Sequence, residues 1–140
     1  MSLSDISKGR GVKERTEPKV GLAYSAFFLA FKEIFPEIEI ISEIRNISKY
    51  NLVIFPGGED IDPAIYSQKN ILSQGINKER DGTESTIFNY CRHYGIKALG
   101  VCRGHQLINA ILGGQLIQDL RYDPNIRGKN CVHEPNHKLD

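Results

Sequence analysis

Short apolar runs alternate with amphipathic segments along the middle of the chain. Runs rich in β-branched residues are typical of buried strands in a parallel sheet, and apolar residues three or four positions apart are typical of helices. Strands are expected at residues 19–24, 37–41, 51–55, 96–101 and 116–120, helices at residues 25–35, 79–94 and 103–112, and a helical turn at residues 63–66. This alternation predicts an α/β fold with a mostly parallel sheet. For residues 19–35, one longer helix is the alternative to a strand followed by a helix.

The first predicted helix, at residues 25–35, has Ser25 as its candidate N-cap and is followed directly by Pro36. Its apolar side chains recur at helical spacing, which favours a core-facing stripe over a cofactor site. They are Phe27, Phe28, Phe31, Ile34 and Phe35. The second helix, at residues 79–94, is expected to end at Gly95.

The chain has 140 residues, which is enough for one domain with a sizeable core. Residues 1–18 are polar and are expected to form an N-terminal tail, and residues 19–140 are expected to form a single domain. A net charge of +1, with 25% charged residues, gives no general attraction for nucleic acid or for a membrane. A basic cluster at residues 8–15 is interpreted as part of the solvated tail.

The number and spacing of the cysteines and the length of the apolar runs indicate the cellular compartment. The three cysteines are odd in number and irregularly spaced, which argues against a disulfide framework and fits a reducing environment. No apolar run approaches the length of a membrane span, and residues 1–5 lack the charged start and apolar core of a signal peptide. A cytoplasmic protein is therefore expected.

The most informative segment is Gly100-Val101-Cys102-Arg103-Gly104, between a predicted strand and a predicted helix. Strand, sharp turn and helix form the nucleophile elbow of hydrolases, here with cysteine where related enzymes have serine. Gly100 and Gly104 would let strand and helix approach around a strained turn residue. Cys102 would begin a helix, where the positive end of the dipole favours the thiolate. A lone cysteine there is otherwise a small core residue, but the surrounding strand, helix and glycines favour the nucleophile.

Attack by Cys102 on an amide carbon would need hydrogen-bond donors for the developing oxyanion. The backbone N–H of Arg103 directly follows the nucleophile and is the first candidate. The second is the backbone N–H of Gly57 or Gly58, in the loop after the strand at residues 51–55. Taken alone, that loop would be an ordinary tight turn. Because ligands bind beyond the carboxyl ends of parallel strands, the two glycine-bearing loops are expected to meet at one site.

Three sequence blocks lie in a distinctive order. They are a Pro-Gly-Gly-x-Asp-x-x-Pro-x-x-Tyr pattern within Phe55–Tyr66, Arg80-Asp81 with Glu84, and Ala98–Asn109 running into Gly113–Asp119. Together they resemble the class I glutamine amidotransferase-like superfamily, and most closely its γ-glutamyl hydrolase branch, peptidase family C26. That branch includes γ-glutamyl-γ-aminobutyrate hydrolases. The resemblance spans residues 51–120, whereas the preceding segment is only loosely similar.

The resemblance implies a flavodoxin-like, doubly wound α/β fold and a Cys-His-Glu triad. It implies hydrolysis of a small-molecule γ-glutamyl amide through a thioester, with no cofactor. Cys102 would be the nucleophile, and Gly58 and Arg103 would supply the oxyanion donors. Gln106 would hold the glutamyl group, with Gly57 as a further substrate contact. The supporting residues implied for the site are Arg80, Asp81 and Glu84.

The resemblance also implies a late histidine and glutamate, and neither is visible before the last residue, Asp140. The sheet is therefore expected to be incomplete at the C-terminal end. His133 and His137 are less favoured candidates for the base, and His105 is interpreted as lining the site. His133 and His137 also match the zinc-binding His-Glu-x-x-His pattern. Pro135 disfavours the helix that this motif needs, so no metal is expected.

Three functions stay open from the sequence. The first is a γ-glutamyl hydrolase or glutaminase-type enzyme, whose base comes from residues beyond this sequence or from a partner chain. The second is a catalytically incomplete relative that binds a glutamyl group. The third is the glutaminase part of an amidotransferase, which the hydrolase-type motifs disfavour. Because an incomplete sheet leaves an edge strand and apolar surface unpaired, self-association is also expected.

Overall fold

A computed structural model describes residues 18–121, so Pro18 is the one described residue of the predicted tail. Its centre is a four-stranded sheet with the strand order β2-β1-β3-β4. The strands are β1 (Val20–Leu22), β2 (Glu39–Ile40), β3 (Leu52–Phe55) and β4 (Lys97–Gly100). The helices are α1 (Phe28–Ile34), α2 (Lys78–Tyr94) and α3 (Arg103–Ile111), and two 3₁₀ helices span Ile44–Lys49 and Pro63–Tyr66. The α/β prediction is confirmed.

Each strand pairing in the sheet is parallel. Gly21 of β1 lies opposite Glu39 of β2 and Val53 of β3, and Val53 lies opposite Ala98 of β4. The order matches the first four strands of the flavodoxin-like order 2-1-3-4-5. Because β1 pairs on both sides, one long helix over residues 19–35 is excluded. Within the described residues no strand pairs with the outer side of β4, so β4 forms an edge there.

Side chains alternate between the two faces of the sheet along β3. Val53 and Phe55 are buried on the face covered by α2 and α3, where the Phe55 and Phe88 rings meet edge-on at a centroid distance of 5.7 Å. Ile54 is buried on the opposite face, against which Phe28 of α1 packs. Because β3 is covered on both faces, its sequence is continuously apolar, as is typical of parallel sheets.

The α1 helix is shorter than predicted and begins differently. Phe27, not Ser25, directly precedes its first residue, with φ 59° and ψ 23° and no capping hydrogen bond from its side chain. The prediction of a core-facing stripe is wrong for Phe27 and Ile34, which are 61% and 68% exposed. Phe28, Phe31 and Phe35 do pack against the sheet. Because the helix starts after Phe27, that ring does not lie on the packed helix face.

Residues 116–120, predicted as a strand, form an irregular loop. The side-chain oxygen of Gln118 accepts hydrogen bonds from the backbone N–H groups of Ile71 and Leu72, both at 2.9 Å. Its side-chain nitrogen donates to the carbonyl oxygen of Lys69 at 2.8 Å. The Gln118 amide thus bonds a neighbouring loop, and the segment crosses onto the loop after β3 instead of entering the sheet.

The other predicted strands and helices are present, and one further 3₁₀ helix was not predicted. At the start of α2 the Asn77 side chain accepts a hydrogen bond from the backbone N–H of Arg80 at 3.0 Å. Gly95 ends that helix with a left-handed φ of 67°. The predicted turn is the 3₁₀ helix Pro63–Tyr66, whereas Ile44–Lys49 was not predicted. In the described part of the chain no helix is both long enough and apolar enough to cross a membrane.

Gly104 lies where α3 touches β3, and a Cβ built there would be 1.9 Å from the carbonyl oxygen of Phe55. Gly104→Ala is therefore expected to destabilise the fold by about 2–3 kcal/mol, because the helix must move away from the strand. A Cβ on Gly82, inside α2, would meet no atom within 4 Å. The matched control Gly82→Ala should stabilise by about 0.5–1 kcal/mol through helix propensity. Urea denaturation measures both changes, and an unchanged midpoint for Gly104→Ala would contradict the close contact.

Candidate active site

The loops that follow β3 and β4 meet at the carboxyl edge of the sheet. Gly57 and Gly58 follow β3, and Cys102 follows β4 at the start of α3. The backbone N–H of Val101 donates to the carbonyl oxygen of Phe55 at 2.9 Å, which continues the strand pairing up to both loops. The structure therefore brings the two glycine-bearing loops together.

Cys102 is exposed and has a backbone conformation that L residues rarely adopt, with φ 54° and ψ −107°. Such a conformation costs on the order of 1–3 kcal/mol and persists only where the surroundings enforce it. Here the Gly104 N–H donates to the Val101 carbonyl at 3.0 Å, and the Gln106 N–H donates to the Cys102 carbonyl at 3.1 Å. A Cβ on Gly100 would lie 2.6 Å from a backbone nitrogen of α3. The glycines thus allow the close approach that holds the cysteine in its strained turn.

The loop at Gly57 and Gly58 faces this cysteine. A Cβ built on Gly57 would lie 3.6 Å from the Cβ of Cys102, so the loop backbone passes directly beside the thiol-bearing side chain. Gly58 has a φ of 157°, and a Cβ there would lie 2.1 Å from Nη1 of Arg80. Any larger residue at this position would have to displace the guanidinium group.

A buried ion cluster lies behind the elbow. The side chain of Arg103 is 2% exposed and forms ion pairs with the carboxylates of Asp81 and Glu84 on α2. Arg80 donates through Nε to the Glu84 carboxylate at 3.1 Å. Two guanidinium groups therefore face two carboxylates, which balances the charge that burial would otherwise leave uncompensated. The cluster joins the residue after Cys102 to α2.

Arg80 connects this cluster to the glycine loop. Its Nη2 donates to the carbonyl oxygens of Pro56 and Gly57 at 3.1 and 2.8 Å. Its guanidinium carbon lies 4.2 Å from the centroid of the Tyr24 ring, a cation–π contact. Hydrogen bonds from a charged donor are stronger than neutral ones. One buried side chain thus holds the loop after β3 and contacts the loop after β1.

Burial shifts the titration of several groups near the site. It raises the pKa of the Asp81 and Glu84 carboxyl groups above their ordinary values, and the Arg103 guanidinium opposes that rise. Oε1 of Glu84 is buried with no hydrogen-bond partner among the described residues, which costs free energy. Burial also raises the pKa of the Cys91 thiol to about 11. Cys91 therefore stays protonated, whereas Cys102 is accessible to electrophiles.

A cleft of about 630 Å³ opens beside Cys102. Cys102 and Gln106 line it, together with Gly58 and other residues of the loop after β3 and with residues 116–121. The side-chain amide of Gln68 donates to that of Gln115 at 2.9 Å and accepts from that of Gln118 at 3.1 Å, which joins the loop after β3 to the segment after α3. The volume is within the range typical of small-molecule sites.

Comparison with known proteins identifies the family. The model of the peptidase C26 family matches residues 34–139, most of the chain. The chain belongs to the peptidase C26 family. Two relatives are named glutamine amidotransferase-like: a Rickettsia prowazekii protein, 40% identical over 70 residues, and a Lactococcus lactis subsp. lactis protein, 29% identical over 109 residues. Protein NtpR of Enterococcus hirae is 33% identical over 105 residues.

These three alignments cover 49%, 73% and 70% of this C26 chain, respectively, but only 25%, 46% and 43% of the relatives. The chain thus spans less than half the length of each relative. The family match and the two glutamine amidotransferase-like names support the predicted membership of the class I glutamine amidotransferase-like superfamily.

The two histidines in the described part of the C26 chain lie at its surface. His105 is exposed on α3, and His93 is exposed near the end of α2, with its ring 4.9 Å from that of Tyr94. Neither lines the cleft, contrary to the expectation for His105. His133 and His137, considered above as a base or as zinc ligands, lie outside the described residues. Within residues 18–121 no group of three or more potential metal ligands occurs.

Two aromatic side chains beside the site were not predicted. Tyr24 contacts the Arg80 guanidinium, and the Phe27 ring lies 3.4 Å from a Cβ built on Gly57. The sequence signal at Phe27 was an aromatic stripe at helical spacing, which favoured the core. Phe27 differs from the packed phenylalanines of that stripe because it precedes the first residue of α1.

Proposed function

We propose that this chain contains the nucleophile of an enzyme that hydrolyses γ-glutamyl amides through a thioester on Cys102. The thiolate attacks the amide carbon, a C–S bond forms, the C–N bond breaks, and the amine leaves with a proton. Water then attacks the thioester carbon, which releases glutamate and restores the thiol. The observation that supports this most strongly is the exposed, strained Cys102 at the start of α3.

The backbone N–H groups of Arg103 and Gly58 are the proposed donors to the oxyanion. Arg103 is the first residue of α3, where backbone N–H groups lack partners within the helix. Its side chain is anchored in the buried cluster, and Arg80 of the same cluster holds the carbonyl of Gly57. Donors held in place before the reaction stabilise the oxyanion because they need not reorient.

The proposed position of the glutamyl group is the cleft. The half-buried Gln106 side chain lies there with Cys102 and Gly58. The walls include both acidic and basic side chains, among them Asp60 and the ion pair of Asp119 with Arg121 at 2.7 Å. Groups of both signs suit the α-amino and α-carboxyl ends of a glutamyl substrate.

The histidine and carboxylate of the triad are proposed to come from outside residues 18–121, in a longer product or in a partner chain. This is the condition for turnover, since loss of a triad member lowers the rate by orders of magnitude. The exposed edge of β4, with Leu99 and Val101 45% and 38% exposed, lies next to the nucleophile and is available to such a partner or to a second copy.

A second candidate is a binding module that retains the site without turnover. It is favoured by one observation: in the described part of the chain, the cleft is lined by no histidine. A ligand that binds only the folded state raises the melting temperature by an amount that grows with the logarithm of its concentration relative to Kd. Stabilisation by glutamine, with no release of amine from any γ-glutamyl amide, would favour this candidate over the hydrolase.

The proposed chemistry predicts covalent capture of a glutamine analogue. In 6-diazo-5-oxo-L-norleucine a diazomethyl ketone replaces the amide, so that a thiolate forms a C–S bond as N₂ leaves and the carbon takes a proton from solvent. Peptide mass spectrometry of the 140-residue chain is expected to locate the adduct on Cys102 and not on Cys91, with protection by L-glutamine. Iodoacetamide is the control for accessibility. Alkylation of Cys102 by iodoacetamide without capture of the analogue would contradict the glutamyl site.

A further inference from the structure

Phe27 combines two unusual features. Its backbone lies in the left-handed region, at φ 59° and ψ 23°, which is strained for a bulky side chain. Its ring is 61% exposed, although three other phenylalanines of the same segment pack against the sheet. Strain of this kind persists where the surroundings enforce it and is concentrated at active sites and ligand sites.

The Phe27 ring lies beside the nucleophile. A Cβ built on Gly57 would be 3.4 Å from Cε2 of Phe27 and 3.6 Å from the Cβ of Cys102. The two side chains therefore flank the same glycine, Phe27 from the side of β1 and Cys102 from the side of β4. Gly57 has no side chain of its own that could separate the ring from the cysteine.

The Phe27 ring does not line the cleft. The cleft walls come from the loops after β3 and α3, whereas Phe27 follows β1. In the sheet β1 lies on the far side of β3 from β4. With the glutamyl group in the cleft, the scissile bond lies at Cys102, and an amine directed away from the cleft would pass over Gly57 towards the exposed ring.

We propose that Phe27 contacts the amine portion of the amide substrate and favours amines that carry an aromatic or aliphatic group. The inference rests on the proposed γ-glutamyl chemistry and adds the class of amine that the substrate carries. An exposed aromatic ring gains most from covering apolar surface of a ligand. Ammonia and methylamine offer little such surface, whereas an anilide presents a ring that can pack against Phe27.

The test compares two γ-glutamyl amides as protectants of Cys102. The 140-residue chain is labelled with 6-diazo-5-oxo-L-norleucine, which has no amine portion, in the presence of L-γ-glutamyl anilide or L-γ-glutamyl methylamide. The wild-type chain is expected to be protected by about tenfold lower concentrations of the anilide. Phe27→Asn removes the ring while tolerating a left-handed backbone, and should make the two amides equally protective. Phe27→Leu should retain part of the preference.

Leu29→Ala is the matched control, because Leu29 is an apolar residue of α1, two positions after Phe27, that is 76% exposed; it should leave the anilide preference unchanged. Labelling of wild type and Phe27→Asn at equal rates without protectant establishes that the glutamyl site is intact in both. If the anilide preference is then absent from wild type, or survives Phe27→Asn, the role of Phe27 is overturned while the proposed function stands. If iodoacetamide alkylates Cys102 but the glutamine analogue labels neither protein there, the proposed function fails and the inference fails with it.

Discussion

Cys102→Gly is expected to abolish capture of the glutamine analogue and at the same time to stabilise the fold by about 1 kcal/mol, a rise in melting temperature of roughly 4 °C. The loss of capture follows from removal of the thiol. The gain follows from the backbone, since φ 54° with ψ −107° is strained for cysteine but open to glycine. The gain is smaller than the strain energy because glycine loses more conformational entropy on folding.

Cys102→Ala is the control for this result, because alanine removes the thiol and keeps the strain. It should also abolish capture but leave the melting temperature near that of the wild type. Calorimetry on the three proteins, with mass spectrometry of the labelled samples, gives both readouts. A glycine variant no more stable than the alanine variant would mean that the elbow stores no strain at Cys102.

Arg103→Ala is expected to destabilise the fold by about 3–5 kcal/mol, because two buried carboxylates lose a guanidinium partner. The side chains of Asp81 and Glu84 are 4% and 0% exposed, so both carboxylates are shielded from bulk solvent. Arg45→Ala is the matched control. Arg45 pairs with Glu43 at 2.7 Å, but both side chains are well exposed, and its loss should cost less than about 1 kcal/mol. Urea denaturation at pH 7 distinguishes the two.

The loss of folding stability caused by Arg103→Ala should become smaller as the pH falls. Burial already raises the pKa of Asp81 and Glu84 in the folded protein, and removing Arg103 takes away the charge that opposes this rise. An acid whose folded pKa exceeds its unfolded pKa binds protons more tightly when folded. The destabilisation is therefore relieved as the pH falls through the folded pKa towards the unfolded one. A deficit that grows between pH 7 and pH 5 would contradict this account of the cluster.

Much of the fold could be predicted because its signals are local. The apolar run of β3 is long enough to bury both faces of a strand, and Gly95 is the residue type that most easily adopts the left-handed conformation ending α2. The 116–120 segment was predicted wrongly because its apolar spacing resembles a strand. Whether such a segment joins a sheet depends on a free strand edge beside it, and Gln118 instead bonds the loop after β3.

The elbow is specified locally, because Gly100, Cys102 and Gly104 occupy positions where a turn between strand and helix has few alternatives. The contacts that hold the elbow in place come instead from residues distant in the chain. Arg103 meets Asp81, 22 positions away, and Arg80 meets the carbonyl of Gly57, 23 positions away. Such pairings depend on how α2 packs beside the sheet, and residue type alone does not specify a partner for a buried arginine. The same packing, and the residue at which α1 begins, left Phe27 beside the nucleophile instead of in the core.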